Sequence, residues 1–307
     1  MTNSIPRLRL YWEFSRPFTL IAPALGMLSG GVTALGAGVP TQIGPGVLAD
    51  IAIGTLMAAV LNAASNGINQ IYDLEVDRVN KPARPIPSGR LSIAEAKRLS
   101  WTLYLIALAL AATVNWQCFL LAAIAALLTI VYSAPPLRTK RHPILANVTI
   151  ALPRGLMLKV AGWTTVKSAF DGVEPWFIGS IFGLFLLGAS STKDFADMKG
   201  DEAGGCMTLP VKYGPTKAAW LIAPFFVLPF LLIPIGWRLG WLSGVPWALD
   251  LLGLVLTVWG AYTIALVLRD PDALARTENH PSWSNMYRMM FLAQLGFAAA
   301  YLLKYAR

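Results

Sequence analysis

Long apolar runs broken by short polar stretches dominate the chain. Runs of about 17–25 residues suffice for a helix to cross the hydrocarbon core of a bilayer. Nine are present, at roughly 17–36, 47–70, 99–115, 117–133, 144–164, 175–192, 217–236, 247–268 and 286–304. Several contain Gly or Pro, which membrane helices tolerate. The third and fourth runs, and the fifth and sixth, are expected to be joined by very short links. The pattern predicts an all-α membrane protein, nine transmembrane helices in one bundle, forming a single domain over 1–307. No small-residue cleavage site follows the first apolar run, so no cleavable signal peptide is expected.

Composition agrees. The chain is 56% hydrophobic and 13% charged, against about 25% charged for soluble domains, and its mean hydropathy is +0.57. Two isolated cysteines, Cys118 and Cys206, and two histidines supply neither a disulfide framework nor a zinc site.

The net charge of +9 changes the picture only through its placement. With the N-terminus in the cytoplasm, nineteen of twenty-five Lys and Arg fall on the cytoplasmic side. Four fall outside (Lys167, Arg238, Lys304 and Arg307), and Arg154 and Lys159 fall within the fifth run. This is the positive-inside asymmetry. It accounts for the basic balance without nucleic acid and predicts a multi-pass protein of the cell inner membrane.

Candidate chemistry lies at the ends of the second and sixth runs. Asn69, Asp73 and Asp77 are spaced i, i+4, i+8, which puts them on one helix face. Their Cα atoms span about 12 Å at 1.5 Å per residue. Hard oxygen donors so spaced suit Mg²⁺, which takes one or two carboxylates and completes its shell with substrate phosphate. The loop beyond holds Lys81, Arg84 and Arg90 among three prolines, placed to meet an anion. The sixth run ends in Lys193, Asp194, Asp197 and Asp201. Asn69 and Lys193, Asp73 and Asp197, and Asp77 and Asp201 are each 124 residues apart, suggesting an internal repeat of four helices with the ninth left over. A solvated helix end explains one such cluster. Two at the same membrane level, amid basic residues, point to a functional site.

Mg²⁺ bridging the oxygens of an allylic diphosphate would make it a good leaving group. Lys and Arg would stabilise the charge that develops, and a greasy bundle would shield a carbocation-like allyl group from water. Tyr72, Tyr132, Trp163 and Phe195 lie near these motifs in sequence, but aromatic residues there serve equally well as packing or an interfacial belt.

The run Asn69-xxx-Asp73-xxx-Asp77, followed by Arg84-Pro85-x-Pro87-Ser88-Gly89, resembles the first signature of UbiA-type intramembrane prenyltransferases. Lys193-xxx-Asp197-xxx-Asp201 resembles the second, with Ala189 where the family usually has Tyr. Tyr132-Ser133 and Ser15-Arg16-Pro17 resemble further family features. The resemblance implies nine helices with cytoplasmic loops capping the active site, and a prenyl diphosphate donor. It also implies Mg²⁺ on Asn69, Asp73, Asp77, Asp197 and Asp201, with Lys193 sharing the catalytic work. The substrate-binding candidates are Asn69, Lys81, Arg84, Tyr132, Ser133, Arg138, Arg154 and Asp194. The short Asp77–Arg84 link is similar to the chlorophyll synthase, homogentisate prenyltransferase and digeranylgeranylglyceryl phosphate synthase branches. The stretch Tyr132–Pro143 leans toward the homogentisate branch, so a small aromatic acceptor is expected first. A glycerol phosphate lipid precursor or a chlorin is the alternative.

Arg154 and Lys159, five apart and so on different faces, each have two readings: contact with a substrate anion, or snorkelling, the latter fitting Lys159 better. His142 reads as a surface residue, and Met286, Met289 and Met290 as packing. A CDP-alcohol phosphotransferase would need its acidic elements on adjoining helices, a pattern that is absent. A transporter, the non-enzymatic alternative, would place its acids mid-span.

Overall fold

The computed structural model describes residues 6–277 and 280–306; Arg307, expected on the outer side, lies outside the described residues. Among those described, nine helices are long and apolar enough to cross a membrane. They are α1 (Pro17–Gly36), α2 (Pro45–Tyr72), α3 (Ile93–Val114), α4 (Trp116–Ser133), α5 (Pro143–Thr164), α6 (Glu174–Thr192), α7 (Pro215–Arg238), α8 (Pro246–Arg269) and α9 (Pro281–Ala306).

Local chemistry sets many of the ends. Proline occupies the first turn of α2, α5, α8 and α9, where its missing N–H costs no hydrogen bond. Ser92 caps α3 by accepting from the Glu95 N–H at 3.2 Å. Asn115 alone joins α3 to α4 and accepts from the Cys118 N–H at 2.9 Å, so this link is as short as expected. The α5–α6 link is not: residues 165–173 intervene. Polar side chains hold that turn in place. Gln117 donates to Ser168 Oγ at 3.0 Å and accepts from the Ala169 N–H at 2.9 Å, and Lys167 donates to the carbonyls of Ala37 and Val39.

Small residues let the central helices touch. A Cβ on Gly30 of α1 would lie 2.7 Å from the Lys159 carbonyl and 2.9 Å from the Gly162 Cα of α5. This is the close backbone approach that drives association in lipid. α6 is the most enclosed helix, with 61% of its apolar window buried, whereas α3 has 22% and lies at the periphery.

α2 carries a polar stripe through the bundle. Asn66 donates to the Ser15 carbonyl (2.9 Å) and Thr19 Oγ1 (2.8 Å), Asn62 to the Thr19 carbonyl (3.1 Å), and Gln70 to the Phe14 carbonyl (2.8 Å). These bonds satisfy backbone groups freed where the amino-terminal helix Arg7–Ser15 turns into α1. They fix that turn against α2, one step below the acidic residues.

Candidate functional site

α2 stops at Tyr72, and a short helix, Leu74–Asn80, follows with Asp73 at the break. α6 behaves alike: it ends at Thr192, and the short helix Asp194–Ala203 follows Lys193. The two short helices pack on each other. Asn80 donates to the Asp197 carbonyl at 3.1 Å, a Cβ on Gly200 would strike the Asn80 side chain, and one on Gly204 would strike Val76. Glycine at both positions permits the contact that unites two motifs 124 residues apart.

Asp73 is 7% exposed and Asp77 3%. Asn69 donates to Asp73 Oδ2 at 2.7 Å and lies 3.5 Å from Ser133 Oγ. Asp73 Oδ1 pairs with Arg138 at 3.4 Å and with Lys140. Arg138 also holds the Tyr72 carbonyl at 2.9 Å. Asp77 Oδ1 pairs with Arg84 at 2.5 Å, and its Oδ2 is buried with no hydrogen-bond partner. Burial pushes the Asp77 carboxyl above its ordinary range in spite of Arg84.

The second cluster contrasts. Burial and the charges of Asp201 and Asp197 push Asp194 well above the usual carboxylate range. Burial and the Asp197 charge push Asp201 up to about 7, with Lys140 opposing. Lys193 lies 5.8 Å above the Trp283 ring of α9, and Tyr132 stands within electrostatic reach of Asp194 and Asp201. Lys81 closes the Leu74–Asn80 helix, its N–H bonded to the Asp77 carbonyl at 2.8 Å.

These groups fit a divalent cation of the Mg²⁺ kind. The second cluster crowds negative charge, and Asp77 Oδ2 is an orphaned acceptor. Among the described residues no three His, Cys, Asp or Glu side chains converge closely enough to hold a metal ion by themselves, so a bound ion would need further oxygens from substrate. An open, carboxylate-poor shell completed by phosphate is the Mg²⁺ habit.

Beneath the site lies an apolar chamber between α1, α2, α4 and α5. Met57, Ala58, Leu121 and Ala122 line the part farther from the acids, its floor, and Asn62, Ser65, Thr129 and Arg154 supply its polar side chains. Eight residues of α2, from Ser65 to Met57, give a depth of about 12 Å. Arg154 sits on a π turn, Leu152–Met157, a distortion frequent at functional sites.

The structure thus gathers Asn69, Asp73, Asp77, Arg84, Tyr132, Ser133, Arg138 and the Lys193–Asp201 segment at one end of the bundle. It also adds Lys140 and Asn80, which sequence reading leaves among topology and loop residues. Lys140 sits two residues after Arg138 and behind a turn, so nothing in its spacing aims it at Asp73. Lys159 does not snorkel: it is 3% exposed, bonds Ser29 and lies 4.5 Å over the Phe182 ring. Trp163 is at the far end of α5 from the acids, so it is not a site aromatic. His142 is exposed, and Met286, Met289 and Met290 are buried packing residues.

The UbiA prenyltransferase family pattern matches residues 22–302. The chain belongs to this family. It is therefore an intramembrane prenyltransferase. It is 32% identical to digeranylgeranylglyceryl phosphate synthase of Methanopyrus kandleri over 268 residues, covering 83% of this chain and 91% of that protein. It is 33% identical to the probable homogentisate phytyltransferase 2 of Oryza sativa subsp. japonica over 220 residues, 68% of this chain and 57% of that protein. A solved digeranylgeranylglyceryl phosphate synthase superposes with a TM-score of 0.74 at 26% identity, covering 97% of this chain and all of the other. A UbiA homolog from Archaeoglobus fulgidus, solved with GPP and Mg²⁺, superposes with a TM-score of 0.68 at 19% identity, covering 92% of this chain and 99% of that one. The relatives favour the glycerol phosphate alternative over the aromatic acceptor expected first.

Proposed function

We propose that this prenyltransferase moves a prenyl group from an isoprenoid diphosphate to a hydroxyl of a glyceryl phosphate lipid precursor that already carries one chain. The observation that carries this reading is the pairing, over 91% of its length, with a digeranylgeranylglyceryl phosphate synthase. The two-cluster geometry supports it. Asp73 and Asp77, with Asn69, and Asp197 and Asp201 are the residues that would hold Mg²⁺, which when bound neutralises the diphosphate and makes it a better leaving group.

The chain's own groups do the rest. Arg84, Arg138 and Lys140, now bonded to Asp73 and Asp77, face the same space and supply positive charge to the diphosphate. Lys81 and Lys193 flank the two short helices and add to it. Asn69 and Ser133 orient Asp73, and Tyr132 and Asp194 stand beside the second cluster. The chamber takes the prenyl tail and excludes water. The C1–O bond of the donor breaks with both electrons going to diphosphate. The acceptor oxygen forms the new C–O bond, and its proton passes to the diphosphate. The positive-inside pattern supports a cytoplasmic N-terminus and a site facing the cytoplasm at the inner membrane.

The test is transfer by the purified protein from labelled geranylgeranyl diphosphate with Mg²⁺. A glyceryl phosphate bearing one prenyl ether, homogentisate and a chlorin are offered side by side. A prenylated glyceryl phosphate as main product is expected. Exclusive prenylation of the aromatic ring would overturn the acceptor assignment and leave the prenyltransferase assignment intact.

A further inference from the structure

The amino-terminal helix Arg7–Ser15 leaves part of its surface without a partner. Leu10 and Phe14 are buried in a small core with Ile68 and Ile71 of α2. Leu8 and Trp12, four residues apart on another side of the helix, are 82% and 62% exposed. Arg16 alone joins this helix to α1, so the helix sits at the edge of a membrane span. Phe18 and Ile21 carry the exposed apolar surface onward along α1. Tryptophan is enriched where such an edge meets lipid headgroups.

The charges around this helix are matched unevenly. Glu13 pairs with Arg90 at 2.5 Å. Glu95 of α3 pairs with Arg7 at 3.2 Å and accepts from the Tyr11 hydroxyl at 2.6 Å. Arg9 and Arg98 are exposed and form no ion pair among the described residues. Arg98 lies three residues beyond Glu95, on the side of α3 that meets the helix. Exposed apolar side chains beside surplus arginine are the makeup of a helix that lies on an anionic bilayer. The same helix is fastened to the donor site. Arg90 also donates to the carbonyl of Ala83 at 2.6 Å, and Ala83 precedes Arg84, the partner of Asp77. Ile86 and Leu91 of that loop share the small core with Leu10 and Phe14.

We propose that the amino-terminal helix is a lipid-binding surface, seated on anionic phospholipid of the leaflet nearest the acid clusters, and that this seat holds the Arg84 loop in place for the diphosphate. Leu8 and Trp12 enter the headgroup layer, and Arg9 and Arg98 meet lipid phosphates. Each basic residue beside an anionic leaflet contributes about fivefold in binding. A seated helix keeps Glu13 on Arg90, and Arg90 keeps Ala83 and Arg84 beside Asp77.

The test uses the full-length enzyme in nanodiscs of phosphatidylcholine, with or without phosphatidylglycerol. A nitroxide on Leu8→Cys reports depth by its contact with oxygen against a water-soluble nickel chelate; Cys118 and Cys206 are buried. In the anionic discs the label should lie in the headgroup layer. Geranylgeranyl diphosphate with Mg²⁺ should bind about fivefold tighter there than in neutral discs, and high salt should close the gap. Arg9→Gln and Arg98→Gln should each remove most of the gap and leave donor affinity in neutral discs unchanged, which certifies the fold. Arg9→Lys should keep the gap, because a leaflet attracts either basic side chain. Arg90→Gln should leave the label seated and lose the gap. A label in water in both discs, or equal donor affinity in both, would overturn the proposal. A label shielded only in discs that hold a pair of copies would overturn it as well, assigning the face to a second copy of the chain.

Discussion

The two acidic clusters are equivalent in sequence spacing and opposite in electrostatics. Asp73 and Asp77 enter the site already matched by Arg138, Lys140 and Arg84. Asp194, Asp197 and Asp201 repel one another, and two of their carboxyls are pushed upward. The first half is arranged to receive an anion along with its metal, while in the second burial and mutual repulsion push two carboxyls upward, so that half gains most from a cation. A diphosphate–metal complex satisfies both at once, which a symmetric pair of acid clusters would not do as selectively.

The largest effect expected from breaking this comparison is on turnover. Asp197→Asn and Asp73→Asn should each cost at least about 1000-fold in kcat, and chelation should stop the reaction, since both remove charge neutralisation of the leaving group. Single-turnover transfer of labelled prenyl diphosphate measures it, and near-normal rates in either variant would refute the two-cluster site. Next comes Arg84→Gln, which leaves Asp77 without its partner. A 10- to 100-fold rise in donor KM is expected, about the worth of a charge-assisted hydrogen bond, with Mg²⁺ binding strengthened because the competing cation is gone.

The pH dependence sharpens the contrast between the halves. Asp201 titrates near 7 in the fold and about 3.9 when unfolded, so between those values the folded state holds the extra proton. Without metal, stability is therefore greatest in acid and falls as pH rises through about 7. Melting of the detergent-solubilised protein in chelator should show this, and a metal-free protein more stable at pH 8 than at pH 5.5 would contradict it. Mg²⁺ displaces that proton, so its apparent affinity should rise between pH 6 and 8, by at most about tenfold per unit for one proton.

The smallest effect concerns the chamber, which both halves share. Ala58→Phe or Ala122→Phe would fill its floor, and Met57→Ala would deepen it. The expected outcome is a shift of several-fold in preference among geranyl, farnesyl and geranylgeranyl diphosphates, toward shorter tails for the first two and longer for the third. Competition assays with the three donors read it directly, and an unchanged ranking would mean the tail lies elsewhere.

By itself the sequence determined nine crossings, because a helix must bury about twenty apolar residues to span a bilayer. It also pointed to candidate acids, because Asn69, Asp73 and Asp77 carry helical spacing and Lys193, Asp197 and Asp201 repeat it, although the helix itself breaks at Asp73. Charge-matching was not legible. Lys140 reaches Asp73, and Arg154 joins Asn62, Ser65 and Thr129 around one chamber, only because α2, α4 and α5 pack together. Such contacts depend on where helices cross, not on spacing along any one of them. The tertiary structure also settled that Lys159 stays buried against Ser29 and Phe182 while Arg154, one turn away, opens to the cavity. Close contact of α1 and α5 at Gly30 and Gly162 encloses the one, and a π turn exposes the other.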